Sequence, residues 1–366
     1  MNNNPTVLEI NLAAVEHNLN FFRSRLSDST KILAVVKASG YGTDAVALAS
    51  ALAKQNVDYF AVAYVDEGIA LRDAGIQTPI LVLHPQIKNL ELIVQYQLEP
   101  NLYSKKILDS FVQISSRSKL TEYPIHIKFN TGLNRLGFKK SDLNTIFDAL
   151  NEVKSVRVKS IFSHLVASED EKENAFSLEQ IQKFNDIAKA FETLFGYKPM
   201  MHMTNTSGII NFPEAHFDMV RLGIGLYGFA NDDTITSKLK NVMSLKSIIS
   251  QIHQIGKNES VGYNRGFFAP REIRTATIPL GHADGLYRSL GQGKIFVSVN
   301  GLKAPIIGNV CMDMIMIDVT DIPCEEGDEV IIFDSQNDIL EMARQANTIS
   351  YEILTSFSER IKRVAF

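Results

Sequence analysis

Hydrophobic and polar residues follow two different rhythms along the chain. Between about residues 30 and 230, short apolar runs are each followed by an amphipathic stretch with the period of a helix. Strand-like runs that alternate with helix-like stretches are typical of parallel βα units. There are eight such runs, at 32–36, 59–63, 79–83, 98–103, 125–130, 158–164, 200–205 and 219–228. Eight units favour a closed (β/α)8 barrel; an open doubly wound sheet is the alternative, although no GxGxxG motif opens the first unit.

The rhythm changes after about residue 240, where β-type runs follow one another closely. The segments RTATIPLGH, GKIFVSV and DEVIIFD are examples, and the pair Asn300–Gly301 separates two such runs. An Asn-Gly pair in this setting is a strong β-hairpin signal. We predict an α/β barrel at residues 1–236 and an antiparallel C-terminal β domain at 237–366, with the first ~10 residues as candidates to join the second domain. A barrel-like arrangement of the C-terminal strands is one option.

Composition and charge exclude several classes of protein. A chain of 366 residues with 45% hydrophobic and 21% charged residues is typical of a soluble globular protein of about two domains. No apolar run reaches the ~18 residues of a membrane helix, and the N-terminus lacks the pattern of a signal peptide. The net charge of −4 and the dispersed basic residues argue against nucleic acid as a partner. Cys311 and Cys324 lack the spacing of a disulfide framework or metal site, so we predict free thiols, no metal and a cytoplasmic location.

Polar residues stand at the ends of several predicted strands. A single residue of this kind usually caps a helix or lies in a surface loop. The carboxyl ends of barrel strands, however, meet at one open face, where active sites form in this architecture. The residues concerned are Lys37, Asn130, Arg135, His164, Asn205, Thr206 and Arg221. We predict that this set converges on an active site.

The residues around Lys37 suggest a specific chemistry. Lys37 follows an apolar strand and precedes two glycines, in the segment AVVKASGYG. A partly buried lysine can form an imine, and glycines allow close approach of the backbone to a ligand. The stretches 205–208 and 222–225 supply hydroxyls and glycine N–H groups where this fold commonly binds phosphate. The combination suggests pyridoxal phosphate, although class I aldolases share both features.

Motifs along nearly the whole chain resemble the alanine racemases, which are fold type III pyridoxal-phosphate enzymes. The motifs are KASGYG, KFNTGLNRLGF, SIFSH, HMTNTSG, RLGIGLYG, SVGYN, GNVCMDMIMID and ISYEIL. The resemblance implies a TIM-type barrel with a C-terminal β domain, bound pyridoxal 5'-phosphate and an isomerase that interconverts L-alanine and D-alanine. It also implies that the D-alanine produced is supplied for peptidoglycan.

The resemblance implies two catalytic bases on opposite faces of the substrate. Lys37 would carry the cofactor as an internal aldimine and deprotonate D-alanine, while Tyr263 would deprotonate L-alanine. A tyrosine, with an ordinary pKa of about 10, needs nearby cations to act as a base near neutral pH. Arg221 would face the ring nitrogen of the cofactor, with support from His164. Because a guanidinium keeps its proton, that nitrogen would stay unprotonated and the ring would be a weaker electron sink.

The other implied contacts concern the rest of the cofactor, the substrate and a second subunit. Arg135 would contact the phenolic oxygen of the cofactor and the substrate. The other cofactor-binding residues would be Tyr41, Asn205, Thr206, Gly223, Ile224 and Tyr351. Met312 would offer a backbone N–H to the substrate carboxylate. In the family, the counterparts of Tyr263 and Met312 reach the cofactor from the partner subunit, so a homodimer with a shared active site is implied.

The run at 125–130 alternates apolar and polar residues. Barrel strands turn apolar residues outward, so His126, Lys128 and Asn130 are expected to point inward. A buried ammonium needs an anionic partner, yet the nearby Arg135 is a second cation. Some alanine racemases carbamylate the matching lysine, and we hypothesise a carbamylated Lys128 that accepts hydrogen bonds from Arg135. An unmodified lysine, neutral or bridged by water, is the alternative.

The chain departs from the family pattern at a few positions. Thr43, His282 and Asn309 stand where the family more usually has histidine, tyrosine and arginine. None of the three removes a base or a cofactor anchor, so they bear on rate and substrate access rather than on reaction type. The alternatives are a racemase of serine or another small amino acid, and a non-catalytic pyridoxal-phosphate carrier. The segments SVGYN and CMDMIMID argue against the carrier, because such proteins generally lack the C-terminal domain.

Overall fold

The computed structural model describes residues 5–366, so the part of the N-terminal predictions that concerns residues 1–4 lies outside the described residues. The strands are β1 (Val7–Ile10), β2 (Lys31–Val35), β3 (Tyr59–Val62), β4 (Ile80–Val82), β5 (Glu99–Leu102), β6 (Tyr123–Lys128), β7 (Val156–Phe162), β8 (Met200–His202), β9 (Met219–Leu222), β10 (Met243–Ile248), β11 (Gln251–Ile255), β12 (Ser260–Val261), β13 (Phe267–Phe268), β14 (Ile273–Ile278), β15 (Phe296–Val299), β16 (Leu302–Ile307), β17 (Ile315–Asp318), β18 (Glu329–Phe333) and β19 (Lys362–Ala365). The helices are α1 (Leu12–Arg23), α2 (Lys37–Tyr41), α3 (Ala45–Lys54), α4 (Val65–Asp73), α5 (Leu90–Gln95), α6 (Lys105–Arg117), α7 (Leu143–Leu150), α8 (Asn174–Phe195), α9 (Thr206–Asn211), α10 (Asp233–Thr236), α11 (Gln336–Ala346) and α12 (Ser350–Ser356).

Strands β2 to β9 form a closed barrel in sequence order. β9 pairs in parallel with β2 and closes the barrel, with Met219 opposite Lys31. Each of the eight apolar runs overlaps one of these strands. The prediction of a (β/α)8 barrel is therefore confirmed, and the open doubly wound sheet is excluded.

The helices between the barrel strands cover its outer surface because each carries an apolar stripe. In α6 the buried residues include Ile107, Leu108 and Phe111, which recur at helical spacing. Asp44 is the N-cap of α3: its carboxylate accepts two N–H groups of the helix's first turn, each at 3.0 Å. Within residues 5–366, no helix is both long enough and apolar enough to cross a membrane.

The second domain is built on a nine-stranded sheet with the strand order β11-β14-β17-β16-β15-β18-β10-β1-β19. Neighbouring strands are antiparallel except β1 and β19, which run parallel. The sheet has edges at β11 and β19, so it is open rather than barrel-like. β1 precedes the barrel in the chain but hydrogen-bonds to β10 and β19, which places Val7–Ile10 in this sheet.

In the second domain, the sequence correctly predicts one hairpin but does not predict two helices. Asn300 and Gly301, with φ of 49° and 79°, connect the antiparallel strands β15 and β16, as the Asn-Gly pair predicts. The missed helices are α11 and α12. Ser335 and Asp338 form a capping box at the start of α11, which is a recognisable helix signal. α12 carries Tyr351 back to the barrel.

Candidate active site

The polar residues at the strand ends come together where the carboxyl ends of the barrel strands open, which we call the carboxyl-end mouth. Lys37 follows β2, Lys128 ends β6 and Arg221 lies in β9. The charges of Lys37, Arg135 and Arg221 act on Lys128, and all four of these cations act on His164. Of the predicted strand-end residues, Lys37, Arg135, His164 and Arg221 thus lie in one cluster, together with Lys128.

Lys37 opens α2, a single left-handed turn. Ala38, Ser39 and Tyr41 have φ of 53°, 54° and 54°, and Gly40 has φ of 66°. Left-handed backbone costs an ordinary L residue roughly 1–2 kcal/mol, so the surrounding structure must hold this turn in place. Strained backbone of this kind is concentrated at functional sites.

Glu67 is one of the residues that hold the turn. One carboxylate oxygen accepts the N–H of Ala38 at 2.6 Å, and the other accepts the N–H groups of Ala63 and Tyr64 at 2.6 and 3.1 Å. Burial lowers the pKa of Lys37, and the Glu67 charge opposes that effect. Glu67 was not predicted from the sequence. Glu67 caps the start of α4 by accepting the N–H of Tyr64, but this local contact does not reveal the bond to Ala38.

The carboxyl-end mouth holds several cations. Burial, Arg221, Arg135 and Lys37 together lower the pKa of Lys128 to about 8. Within residues 5–366, no acceptor lies in hydrogen-bond distance of the Lys128 ammonium, and its Nζ lies 5.8 Å from the centre of the Phe162 ring. Lys37, Lys128 and Arg221 are buried or half-buried, and cations in such surroundings need negative charge nearby. The site is therefore suited to an anionic ligand.

The alternation of β6 decides which of its polar residues face the barrel interior. His126 and Lys128 are buried there, as predicted. Asn130 lies beyond the end of the strand, and its side-chain oxygen accepts the N–H of Asn134 at 3.0 Å. Its role is to organise the loop that carries Arg135, whose side chain is exposed.

Arg221 is held within the cluster by four hydrogen bonds. Its Nη1 donates to His202 Nδ1 at 2.9 Å, and its Nη2 donates to His164 Nδ1 at 2.8 Å and to the carbonyls of Ser163 and Met203 at 2.7 and 2.8 Å. Burial lowers the pKa of Arg221 to about 9, which leaves it protonated near neutral pH. Burial also lowers the pKa of both histidines well below the ordinary value, so they are neutral acceptors. Among residues 5–366 the Nε–H of Arg221 has no acceptor, so it is left for a ligand.

A corner of the mouth gathers hydroxyl and backbone donors. A Cβ at Gly223 would lie 2.8 Å from the hydroxyl of Tyr41, so a larger residue there would force the tyrosine ring to shift. The Thr206 hydroxyl accepts the N–H of Gly223 at 3.3 Å, and Ile224 starts a short 3-10 helix beside it. The ring of Tyr351 lies 6.1 Å from that of Tyr41, and burial raises the pKa of Tyr351 to about 12. Neutral hydroxyls and backbone N–H groups are suitable ligands for a phosphate.

Asn205 contributes to this corner indirectly. Its side-chain oxygen accepts the N–H of Gly208 at 2.9 Å and the hydroxyl of Ser168 at 2.8 Å. Asn205 is therefore the N-cap of α9, which begins with Thr206. This is the role that a polar residue at a strand end commonly has, and here it orients the threonine.

Tyr263 and Met312 lie on the C-terminal domain and are largely exposed, at 69% and 59%. Tyr263 starts the turn between β12 and β13. Asn309 donates from Nδ2 to the Tyr263 carbonyl at 2.9 Å, and its oxygen accepts a hydrogen bond from Gln292 at 3.1 Å. The single chain thus leaves both residues at its surface, whereas Arg221 lies within the barrel.

Both domains of the chain match known proteins. Residues 10–231 match the family model "Alanine racemase, N-terminal domain", and residues 242–365 match "Alanine racemase, C-terminal domain". Alanine racemase 2 of Caldanaerobacter subterraneus subsp. tengcongensis is 35% identical over 369 residues, which cover 98% of this chain and 94% of that protein.

Solved alanine racemases have the same fold. The structure from Clostridium difficile 630 has a TM-score of 0.93 and 30% identity, over 99% of this chain and 96% of that chain. The structure from Bartonella henselae, which has covalently bound pyridoxal phosphate, has a TM-score of 0.88 and 29% identity, over 99% of each chain.

The barrel, the strand-end lysine and the cationic mouth, together with these matches, define a pyridoxal-phosphate-dependent racemase, which is an isomerase. More specifically, the chain belongs to the alanine racemase family. Because the family models match both domains, the non-catalytic carrier without a C-terminal domain is excluded.

Proposed function

We propose that the chain interconverts L-alanine and D-alanine with two bases, Lys37 and Tyr263, and that it supplies D-alanine for peptidoglycan. The observation that carries this proposal is a half-buried lysine at the end of β2, in a mouth that also holds Arg135 and Arg221. Membership of the alanine racemase family supports the choice of substrate.

The residues of the carboxyl-end mouth fit pyridoxal phosphate. Lys37 would bind it covalently, Arg221 would use the free Nε–H toward its ring nitrogen, and Arg135 would contact its phenolic oxygen. The phosphate would be held by the donor corner of Tyr41, Thr206, Gly223, Ile224 and Tyr351, with Asn205 as the cap that orients Thr206. When bound, this cofactor supplies an electron sink for the negative charge at the substrate Cα.

The two bases divide the proton transfers between them. Lys37 Nζ takes the Cα proton of D-alanine, and the Tyr263 oxygen takes the Cα proton of L-alanine from the other face. Burial lowers the pKa of Lys37, which favours the neutral amine that can accept a proton. One base removes a proton and the other returns one, so the Cα configuration inverts without net gain or loss of protons.

The exposed face of the C-terminal domain supports a homodimer with shared active sites. Tyr263, Met312 and Met314 are 69%, 59% and 48% exposed in the single chain. Clustered exposed apolar residues mark interaction surfaces. In this proposal Tyr263 of one subunit completes the site of the other, and the Met312 N–H binds the substrate carboxylate.

The cellular location and the domain division complete the proposal. Within residues 5–366, Cys311 and Cys324 are free thiols, which fits a reducing cytoplasm. The division into residues 1–236 and 237–366 is retained, with β1 assigned to the second domain because it pairs with β10 and β19.

We also propose that Lys128 is carbamylated. Its ammonium would first lose one proton; the neutral amine would then attack carbon dioxide, form an N–C bond and release a second proton, so that a cation becomes an anion. The support is a pKa lowered to about 8 and an ammonium that has no acceptor among residues 5–366, beside Arg135. A carbonyl signal after incubation with 13C-bicarbonate, absent in Lys128→Ala, is expected. Clear electron density for an unmodified Nζ in crystals grown with bicarbonate at alkaline pH would contradict it.

The test of the reaction is direct. Purified protein with measured cofactor loading is incubated with L-alanine, and D-alanine is measured with D-amino-acid oxidase in samples withdrawn and quenched over time. D-alanine should accumulate until the two isomers are equal. No D-alanine from fully loaded protein would reject the proposed function.

A further inference from the structure

A continuous chain of hydrogen bonds runs through the inside of the barrel. Arg221 Nη1 lies 2.9 Å from His202 Nδ1, and His202 Nε2 lies 3.0 Å from Ser160 Oγ. Ser160 Oγ lies 2.6 Å from His126 Nδ1, and His126 Nε2 lies 2.7 Å from Glu99 Oε2. We call these five residues the barrel relay. It starts at Arg221 in the carboxyl-end mouth and ends at Glu99, the first residue of β5, at the opposite end of the barrel.

The chemistry of the end groups fixes the direction of every hydrogen bond in the barrel relay. A guanidinium only donates, so His202 Nδ1 accepts from Arg221 and His202 carries its proton on Nε2. His202 therefore donates to Ser160, and the Ser160 hydroxyl donates to His126 Nδ1. His126 must then carry its proton on Nε2 and donate to the Glu99 carboxylate. Both histidines are neutral Nε2–H tautomers.

A charged His126 does not fit this arrangement. Its Nδ1–H and the Nε2–H of His202 would both point at the Ser160 oxygen. The Ser160 hydroxyl hydrogen would then lack an acceptor among residues 5–366. All three of these residues are fully buried, so an unsatisfied donor would be costly. The neutral, one-directional relay is the arrangement that satisfies every group.

Glu99 supplies the anion that the surroundings of Arg221 lack. Within residues 5–366, the four acceptors of the guanidinium are two neutral imidazoles and two carbonyls, with no carboxylate among them. Chains of hydrogen bonds in a low-dielectric interior polarise one another. A carboxylate at the far end therefore makes His202 Nδ1 a better acceptor. The Glu99 side chain is only 12% exposed, and burial together with the charge of Glu99 raises the pKa of the buried Tyr59.

We propose that Glu99 is a positioning residue for Arg221, acting through His126, Ser160 and His202. By fixing the tautomers of the two histidines, it fixes the orientation of the guanidinium at the carboxyl-end mouth. The consequence for catalysis rests on the proposed function, in which Arg221 faces the cofactor ring. The tautomers themselves are a property of the protein and are measured independently of activity.

A misoriented Arg221 should change the balance between racemisation and a known type of side reaction. In that side reaction alanine leaves its amino group on the cofactor and takes oxygen from water, and pyruvate is released. A guanidinium that holds the ring nitrogen unprotonated keeps the electron sink weak and disfavours this outcome. Loss of the relay should therefore raise the amount of pyruvate formed per racemisation turnover.

The chain offers two test variants and a matched control. Glu99→Gln removes the terminal anion, and Ser160→Ala cuts the relay between the two histidines. Glu122→Gln is the control, because Glu122 lines the same cavity of about 640 Å³ as Glu99 but pairs with Arg157 at 3.4 Å, outside the relay. Each of the three substitutions introduces a side chain of similar or smaller volume than the original.

The first measurement is 15N NMR of histidine-labelled protein, both without cofactor and loaded with it, with His126 and His202 assigned from single variants. The wild type and Glu122→Gln should show neutral Nε2–H tautomers at both positions. Glu99→Gln should show a mixture of tautomers at His126, because a carboxamide both donates and accepts. An unchanged His126 tautomer in folded Glu99→Gln would overturn the proposal.

The second measurement is steady-state kinetics with pyruvate detection. Glu99→Gln and Ser160→Ala should lower kcat about three- to tenfold, leave KM within about twofold, and raise pyruvate per turnover. Wild-type kcat and a wild-type pyruvate ratio in either folded variant would also overturn the proposal. If Glu99→Gln does not fold, Ser160→Ala decides. A wild type without racemase activity would instead reject the proposed function and leave the NMR result valid.

Discussion

The two proposed bases are held by similar backbone turns but lie in very different surroundings. Left-handed backbone follows both Lys37 and Tyr263. Each turn is held by one side chain from another element: Glu67 accepts a backbone N–H in the first, and Asn309 donates to a backbone carbonyl in the second. Strained turns fixed in this way place a side chain accurately without relying on its own packing.

The surroundings differ because one base is enclosed by its own domain and the other is not. Lys37 is half-buried and is influenced by Arg135 and Glu67. Tyr263 is 69% exposed. The barrel therefore surrounds the lysine within a single chain, whereas the tyrosine would be enclosed only in the proposed homodimer. Changes at Lys37 should affect cofactor attachment, while changes at Tyr263 should affect proton transfer on one face.

The largest effect is expected from Lys37→Ala. It removes the proposed cofactor attachment and one base together, so racemisation should fall ~10³-fold or more. In the wild type, borohydride reduction followed by peptide mass mapping should find the cofactor on Lys37. Lys128→Ala is the matched control. When this variant carries the cofactor, borohydride reduction should label the same Lys37 peptide as in the wild type. Label on any other lysine would make Lys37 the wrong attachment site.

Tyr263→Phe should have the next largest effect, a loss of ~10²-fold in racemisation with the cofactor retained. Exchange of the α-proton with deuterated solvent should slow more from L-alanine than from D-alanine, because only the L-face loses its base. Racemisation itself must slow equally in both directions, since the equilibrium constant is fixed. Equal slowing of the two exchange reactions would show that the bases are not divided between the faces.

Glu67→Gln tests whether the turn under Lys37 matters. We expect about a tenfold fall in kcat, because the neutral amide cannot accept three N–H bonds as strongly as a carboxylate. The Glu67 charge raises the pKa of Lys37, so its removal should lower that pKa further. The neutral amine would then appear at lower pH, and acylation of Lys37 in cofactor-free protein should shift toward acid.

The control for this variant is Asp66→Asn, at the exposed neighbouring position in α4. It removes a charge of the same sign from the same helix turn without touching the Ala38 N–H. Its kcat and its acylation profile should match those of the wild type. A shift of the profile to higher pH in Glu67→Gln would contradict the proposed effect of the carboxylate.

The smallest effect is expected from Asn309→Ala, about a three- to fivefold loss in kcat, because one neutral hydrogen bond to the Tyr263 carbonyl is removed from an exposed loop. The loss should be greater for α-proton exchange from L-alanine, as for Tyr263→Phe. Gln292→Ala removes only the bond that Gln292 donates to Asn309 and should cost less. An equal effect on both faces would mean that Asn309 does not act through Tyr263.

The local pattern of apolar residues predicted the strands of the barrel well. The run at 32–36 corresponds to β2 (Lys31–Val35) and the run at 219–228 begins with β9 (Met219–Leu222). Such strands are continuous apolar segments between helical ones, so a short window contains the signal. In the second domain the same reasoning found the turn at Asn300–Gly301 but missed α11 and α12 among closely spaced strands.

By itself, therefore, the sequence determined the order of strands and helices, the presence of Lys37 at a strand end and the family to which the motifs point. Only the tertiary structure decided which side chains act together. Glu67 reaches Ala38, and the barrel relay joins Arg221 to Glu99, across separations that no local window spans. The physical reason is that periodicity and turn propensity are properties of neighbouring residues, whereas hydrogen-bond partners and pKa shifts depend on which strand ends the closed barrel brings together.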